Sequence, residues 1–166
     1  KILGKNFFKN KINYSLNASL EAQLASISDD IAYNSHDLED GLRAKLYTIN
    51  DLKNIPILSQ IIDKHKRFIK NKGIDLVIRQ IIRDIVNEMV NDIIINTKKK
   101  IKEEKINTIK DIYNHKGLIV NFSKRMNLFD VSIKSFLKKK MYFSKNVLKK
   151  TNKGKKIIKF LFLKIQ

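Results

Sequence analysis

Three features of this sequence point to an all-α fold. Its 166 residues include one proline and five glycines, so little interrupts a helix. Between those few breaks, isoleucine, leucine and valine recur at three- and four-residue intervals, the period of a helix buried along one face. The length suits a single domain with a sizeable core, and residues 1–166 read as one all-helical region without an internal repeat.

Ser19 is a suitable N-cap, and the apolar positions after it carry a first helix to about Leu46. Asn50 or Asn54 precedes Pro56, which suits the first turn of a second helix running to about Lys70. Gly73 interrupts. A long third helix follows in "IDLVIRQIIRDIVNEMVNDIIINTKKKIKEEK", where Ile74, Val77, Ile78, Ile81, Ile82, Ile85, Val86 and Met89 form a wide apolar face. Such a face suits an interior or subunit-contact helix better than a membrane binder. "HKGLIVNFSKRM" reads as a short connection, with extended backbone an option, before "LFDVSIKSFLKKKMYF". The last segment, "KKTNKGKKIIKFLFLKIQ", is expected to be helical after Gly154.

The 35 basic and 16 acidic residues give a net charge of +19. The excess is uneven: residues 1–96 hold 14 basic and 12 acidic residues, and residues 97–166 hold 21 and 4. That asymmetry suits a nucleic acid or another polyanion as partner of the C-terminal part, although A/T-rich coding produces the same lysine-rich composition without selection for binding. The aromatics among those lysines, Phe122, Phe136, Tyr142 and Phe143, are spaced as core positions rather than as a base-stacking platform. The lack of cysteine excludes disulfides, zinc–thiolate sites and cysteine nucleophiles, and fits a reducing cytoplasm. No stretch of about 18 apolar residues runs uninterrupted, so neither a membrane span nor a membrane partner is expected. "KILGKNFFKNKINYSL" lacks the apolar core of a secretory signal. A first residue of lysine rather than methionine reads as a fragment or a processed piece.

One stretch runs against the overall charge. "SISDDIAYNSHDLEDGLRAKL" gathers Asp29, Asp30, Asp37, Glu39 and Asp40 before its first basic residue, Arg43. On a helical wheel with Asp29 at zero, Leu20, Leu24, Ile27, Ile31, Leu38 and Leu42 fall between about 160° and 220°. His36, Asp29, Asp40, Tyr33 and Asp37 fall between about −20° and +80°, on the opposite side. Asp29, Tyr33 and Asp37 are two successive steps of four. A solvated polar face explains this arrangement; so does a binding face, because unrelieved like charges repel and call for a cation from elsewhere. Magnesium or manganese, which favour carboxylate oxygen and water, would serve, and a tyrosine hydroxyl one turn away could donate to a phosphate oxygen bridged by that metal.

The segment "SLEAQLASISDDIAYNSHDLEDGL" closely resembles the stretch of bacterial dGTP triphosphohydrolases and related dNTPases that reads S-L-E-A-Q-x-x-x-x-A-D-x-I-A-Y-x-x-H-D-x-x-D-G-L. "FLKKKMY" resembles their x-F-L-x-x-x-M-Y element, "VIRQIIRDIVNEMVNDII" is similar to their V-R-x-L-I-x-x-x-V-x-D-V-I helix, and "KKIIKFLF" looks like their closing helix. The likeness is dense over residues 19–46 and loose elsewhere. It implies the C-terminal portion of an all-α, HD-domain metallophosphohydrolase bundle. It also implies hydrolysis of a dNTP, dGTP first among them, to deoxynucleoside and triphosphate.

In that family a histidine, a His-Asp pair and a distant aspartate hold the metal, and Asp29 corresponds to the last of these. Tyr33 and Asp37 match residues that hold the triphosphate or sugar beside the metal; Ser28 replaces the usual alanine before the aspartate. His36-Asp37 is the only His-Asp dipeptide here, but it follows the final ligand instead of preceding it, so His36 is expected to contact substrate rather than metal. His65 and His115 fit no ligand pattern and read as surface or loop histidines. The upstream histidine and His-Asp pair are absent from these residues, so no catalytic residue is assignable and the piece alone is expected to be inactive. Similar proteins form rings or hexamers, which makes a homo-oligomer a further expectation. A basic nucleic-acid-binding helical module, or an inactive remnant, are the competing readings.

Overall fold

The structure, a computed structural model, describes residues 16–69 and 73–165, with 66–69 as backbone only. The segment before Leu16 and the expected helix end at Lys70 lie outside the described residues. In order come α1 (Leu20–Arg43), a 3-10 turn (Ile49–Asn54), α2 (Leu58–Ile69), α3 (Ile74–Glu103), α4 (Ile109–Asn114), α5 (Lys124–Leu137), a π-helical turn (Lys138–Tyr142) and α6 (Lys145–Lys164). Every regular element among the described residues is helical, so the chain is all-α.

The hub is α3, with α1 and α2 packed along it and α5 packed against α1. The face expected to be interior is interior: Val77, Ile78, Ile81, Ile82, Ile85 and Met89 are buried, meeting Leu38 and Leu42 of α1 and Leu58, Ile61 and Ile62 of α2. Only Ile74, at the start of that row, is exposed. On α1 the apolar stripe holds except at Leu24, which stays 49% exposed.

The helix boundaries differ from expectation where turn geometry overrides pattern. Ser19 caps α1 as expected, its hydroxyl accepting from the Ala22 N–H at 3.3 Å. α1 stops at Arg43, short of Leu46, because Lys45 turns left-handed (φ 55°). The N–H of Leu46 then reaches the Gly41 carbonyl at 3.0 Å and that of Lys45 the Leu42 carbonyl at 3.1 Å, the paired bonds of a Schellman end. α3 ends the same way, with Lys105 at φ 51° and Ile106 N–H on the Ile101 carbonyl at 3.0 Å. Pro56 does not open α2. Ile57 takes φ 70°, rare for a β-branched residue, and the helix starts at Leu58; the turn lets Ile55, Ile57 and Leu58 all enter the core.

Two further departures are helical. α4 was not anticipated, although Thr108 and Asp111 form a capping box: the Asp111 carboxylate accepts from the Thr108 N–H at 2.8 Å, and the Thr108 hydroxyl accepts from the Asp111 N–H at 3.2 Å. α6 begins at Lys145, capped by Ser144, and runs through Gly154 instead of starting after it. The connection 115–123 has no regular structure, and it ends where Asp92 of α3 accepts from the N–H and hydroxyl of Ser123, at 2.8 and 2.6 Å, fixing the start of α5.

Candidate functional site

α1 buries Ile31, Leu38 and Leu42, so its opposite face looks outward. Asp29, Tyr33 (64% exposed) and His36 are exposed on that face, and Asp37 is half-buried at its C-terminal end. Asp29, Tyr33 and Asp37 therefore stand in line, each about 6 Å along the axis from the next. Among the described residues, no basic side chain pairs with Asp29.

Two other carboxylates of this acidic stretch, Asp30 and Glu39, are answered from within the fold, while Asp40 stays exposed. Lys134 of α5 reaches Asp30 at 3.0 Å and the buried Asp130 at 2.9 Å, while the Asn34 amide donates to Asp130 at 3.3 Å. Burial opposes the charge on Lys134, but its hydrogen bonds to Asp130 and Asp30 outweigh that and raise its pKa. Glu39 takes Arg43 at 2.7 Å, and Arg43 also reaches Asp75 at 3.3 Å. The cation that the sequence seemed to call for is thus partly the protein's own.

Asp37 differs again. Tyr142, at the end of the π-helical turn, donates its hydroxyl to the Asp37 carboxylate. On the other side Tyr47 donates to the backbone carbonyls of Asp37 and Leu38, at 3.2 and 3.1 Å. Tyr47 is buried and meets Phe136 edge to face, centroids 4.8 Å apart. Burial raises both phenol pKa values well above their ordinary value, reinforced at Tyr142 by its bond to Asp37, so both stay protonated donors. The Tyr47 ring occupies the space that a Cβ on Gly41 would fill, which gives the Asp-Gly step of the motif a physical reason.

Sequence reasoning missed Tyr142 as a member of this site. Its only signal was the M-Y of "FLKKKMY"; as expected of core positions, Phe122 is buried and Phe136 and Tyr142 are partly buried. Phe143, by contrast, is exposed, with the Lys138 ammonium 5.9 Å from its ring centroid.

Of the two remaining histidines, His115 is a loop residue as expected and His65 is not. His65 sits on α2 with Nε2 2.8 Å from the Asp84 carboxylate of α3. His115 follows α4, with one ring nitrogen on the Gly117 carbonyl at 2.8 Å and the other on the Glu104 carboxylate. Acceptors at both nitrogens favour the imidazolium; the Glu104 bond, then the Gly117 carbonyl, raise its pKa.

No three histidine or carboxylate groups among the described residues come together as a metal site. Asp29 offers a single carboxylate, and one exposed carboxylate does not hold magnesium or manganese.

A deoxyguanosinetriphosphate triphosphohydrolase-like protein of Pelagibacter ubique (strain HTCC1062) is 48% identical to this chain over all 166 residues. This chain is a homologue of the deoxyguanosinetriphosphate triphosphohydrolase-like proteins. Further relatives of that name are 37% identical over 150 residues in Bartonella tribocorum and 34% identical over 154 residues in Bradyrhizobium sp.. The chain spans less than half of these relatives: 45% of the Pelagibacter protein, 36% of the Bartonella protein and 38% of the Bradyrhizobium protein. No family model matches it. No helix among the described residues is long and apolar enough to cross a membrane.

Proposed function

We propose that this chain is part of a metal-dependent dNTP triphosphohydrolase, and that the outward face of α1 is its contribution to the active site. The observation that carries this reading is the line Asp29, Tyr33, Asp37. Asp30 and Glu39, which lie off that line, are neutralised by Lys134 and Arg43, whereas Asp29 and Tyr33 are exposed and their side chains make no hydrogen bond or ion pair among the described residues, and Asp37 is held in one orientation by Tyr142. A solvated surface has no need to fix one carboxylate with a partly buried phenol while leaving its neighbour one turn away open.

In this reading Asp29 is one ligand of a magnesium or manganese ion, whose other ligands lie outside the described residues. Tyr33 donates its hydroxyl to a phosphate or sugar oxygen. Asp37 accepts from a sugar hydroxyl, its carboxylate kept from swinging by Tyr142. His36, exposed on the same face, contacts substrate. The substrate is a dNTP, with dGTP suggested by the relatives' names, and the products are deoxynucleoside and triphosphate. A cytoplasmic setting, with its nucleotide pool, suits this chemistry.

The intact parent protein, given dGTP with magnesium or manganese, is expected to release tripolyphosphate, read by phosphorus NMR. The 166-residue chain alone is expected to release none, because one carboxylate does not assemble the metal site. Metal-dependent turnover by the chain alone, or orthophosphate as the first product of the intact protein, would overturn the proposal.

A further inference from the structure

α6 is a 20-residue helix without a buried residue, and its one substantial contact among the described elements is with the π-helical turn before it. Its composition is not that of a solvated helix. Ile157, Ile158, Leu161, Phe162 and Ile165 follow an i, i+1, i+4, i+5, i+8 pattern, which places them within an arc of about 140°. All five are exposed, Phe162 at 68% and Ile165 at 85%. Gly154 falls on the same arc, mid-helix, with open space where a Cβ would stand. A glycine there weakens the helix, yet it lets another backbone approach closely. Lysines dominate the rest of the circumference, with Phe160 and Leu163 exposed among them: Lys145–Lys164 holds eight lysines and no carboxylate.

We propose that this arc is a docking surface for the portion of the longer protein that lies outside these 166 residues, and that the contacting element is a helix with an apolar stripe rimmed by carboxylates. Three observations select that occupant. The match accounts for only 45% of the Pelagibacter relative, so more than half of such a protein must find places to pack. Contiguous apolar faces of this size on one exposed helix are covered in finished proteins. The lysine rim, uniform in sign, disfavours a second copy of α6 and suits an acidic counterpart. The proposal stands apart from the chemistry of α1, since it concerns the far end of the chain and its test reads no turnover.

The test is co-expression of the full 166-residue chain, tagged, with the unmatched remainder of the Pelagibacter relative. A stoichiometric complex is expected, with lysine cross-links from Lys155 and Lys159, which flank the arc, to carboxylates of the remainder. Ile158→Glu and Phe162→Glu should each lower the captured remainder at least about tenfold. Lys156→Gln, at an exposed position on the opposite side of α6, should leave capture unchanged. Circular dichroism of each variant confirms an intact fold, as expected for residues outside the core. Capture insensitive to both glutamate variants would overturn the proposal. So would a dimer of this chain that dissociates on Phe162→Glu, or sedimentation of the chain with anionic phosphatidylglycerol vesicles in preference to the remainder.

Discussion

Gly41→Ala is expected to destabilise this protein, against the usual behaviour of a glycine inside a helix. In an exposed helix the exchange gains about 1 kcal/mol. Here the new methyl group would collide with the phenol of Tyr47, which cannot step aside cheaply. That ring is 4% exposed, packs edge to face on Phe136 and is tethered through its hydroxyl to two backbone carbonyls of α1. Expelling a large aromatic from a core costs about 3–5 kcal/mol, so after the propensity gain the net loss is about 2–4 kcal/mol. Urea titration followed by circular dichroism reads it directly. A double-mutant cycle adds the decisive control: Tyr47→Ala should cost several kcal/mol in the parent but far less in the Gly41→Ala background, because the ring has already left. A Gly41→Ala variant more stable than the parent, or strict additivity with Tyr47→Ala, would refute the assignment of Gly41 as the seat of that ring.

Three other outcomes are expected. Lys134→Met should destabilise by about 1–3 kcal/mol because it leaves the buried Asp130 with the Asn34 amide alone, whereas Asp30→Asn, at the exposed end of the same network, should cost about 0–1 kcal/mol; equal losses in denaturant titrations would contradict the network. Lys45→Gly should stabilise by about 0.5–1 kcal/mol, since glycine adopts the left-handed turn at the end of α1 without the Cβ penalty, and a lower melting temperature would count against it. The His115–Glu104 pair should make stability depend on pH. The folded pKa of His115 is raised above its ordinary 6.5, so its contribution is complete below that value and fades as pH rises through the folded pKa. Glu104 is lowered from 4.5 by the same bond, so its contribution is complete above 4.5 and fades as pH falls through its folded pKa. Melting curves of parent and His115→Gln should therefore differ most between 4.5 and 6.5 and converge at alkaline pH; a difference that persists unchanged into alkaline pH would exclude the pair.

Local pattern made much of this molecule readable in its sequence. The Ser19 cap, the interior face of α3 and the outward line of Asp29, Tyr33 and Asp37 all follow from helical period and capping chemistry, which act over a few residues. The misplaced boundaries have local causes too. Lys45 and Lys105 take left-handed turns where glycine would have announced them, and Ile57 adopts a conformation that its branching disfavours. What sequence could not deliver is contact across the fold. Tyr142 meets Asp37, and Lys134 meets Asp30, across more than a hundred residues of chain, and nothing in helical periodicity brings α5 and its π-helical turn to that side of α1. α4 is a different failure: Thr108 and Asp111 carry a capping-box signal at the right spacing, and it went unread because the helix behind it has only six residues and buries none of them.

The division of labour along α1 is tested most directly in the intact parent protein by manganese binding and dGTP turnover of three variants measured side by side. Asp29→Asn should lose both metal affinity and turnover with the fold intact. Tyr33→Phe should keep the metal and lose substrate use by about 1–3 kcal/mol in kcat/KM. Tyr142→Phe should also keep the metal, while raising KM as Asp37 is released from its hydrogen bond. Undiminished manganese affinity and turnover in Asp29→Asn would contradict the account and leave the outward face of α1 as a solvated surface.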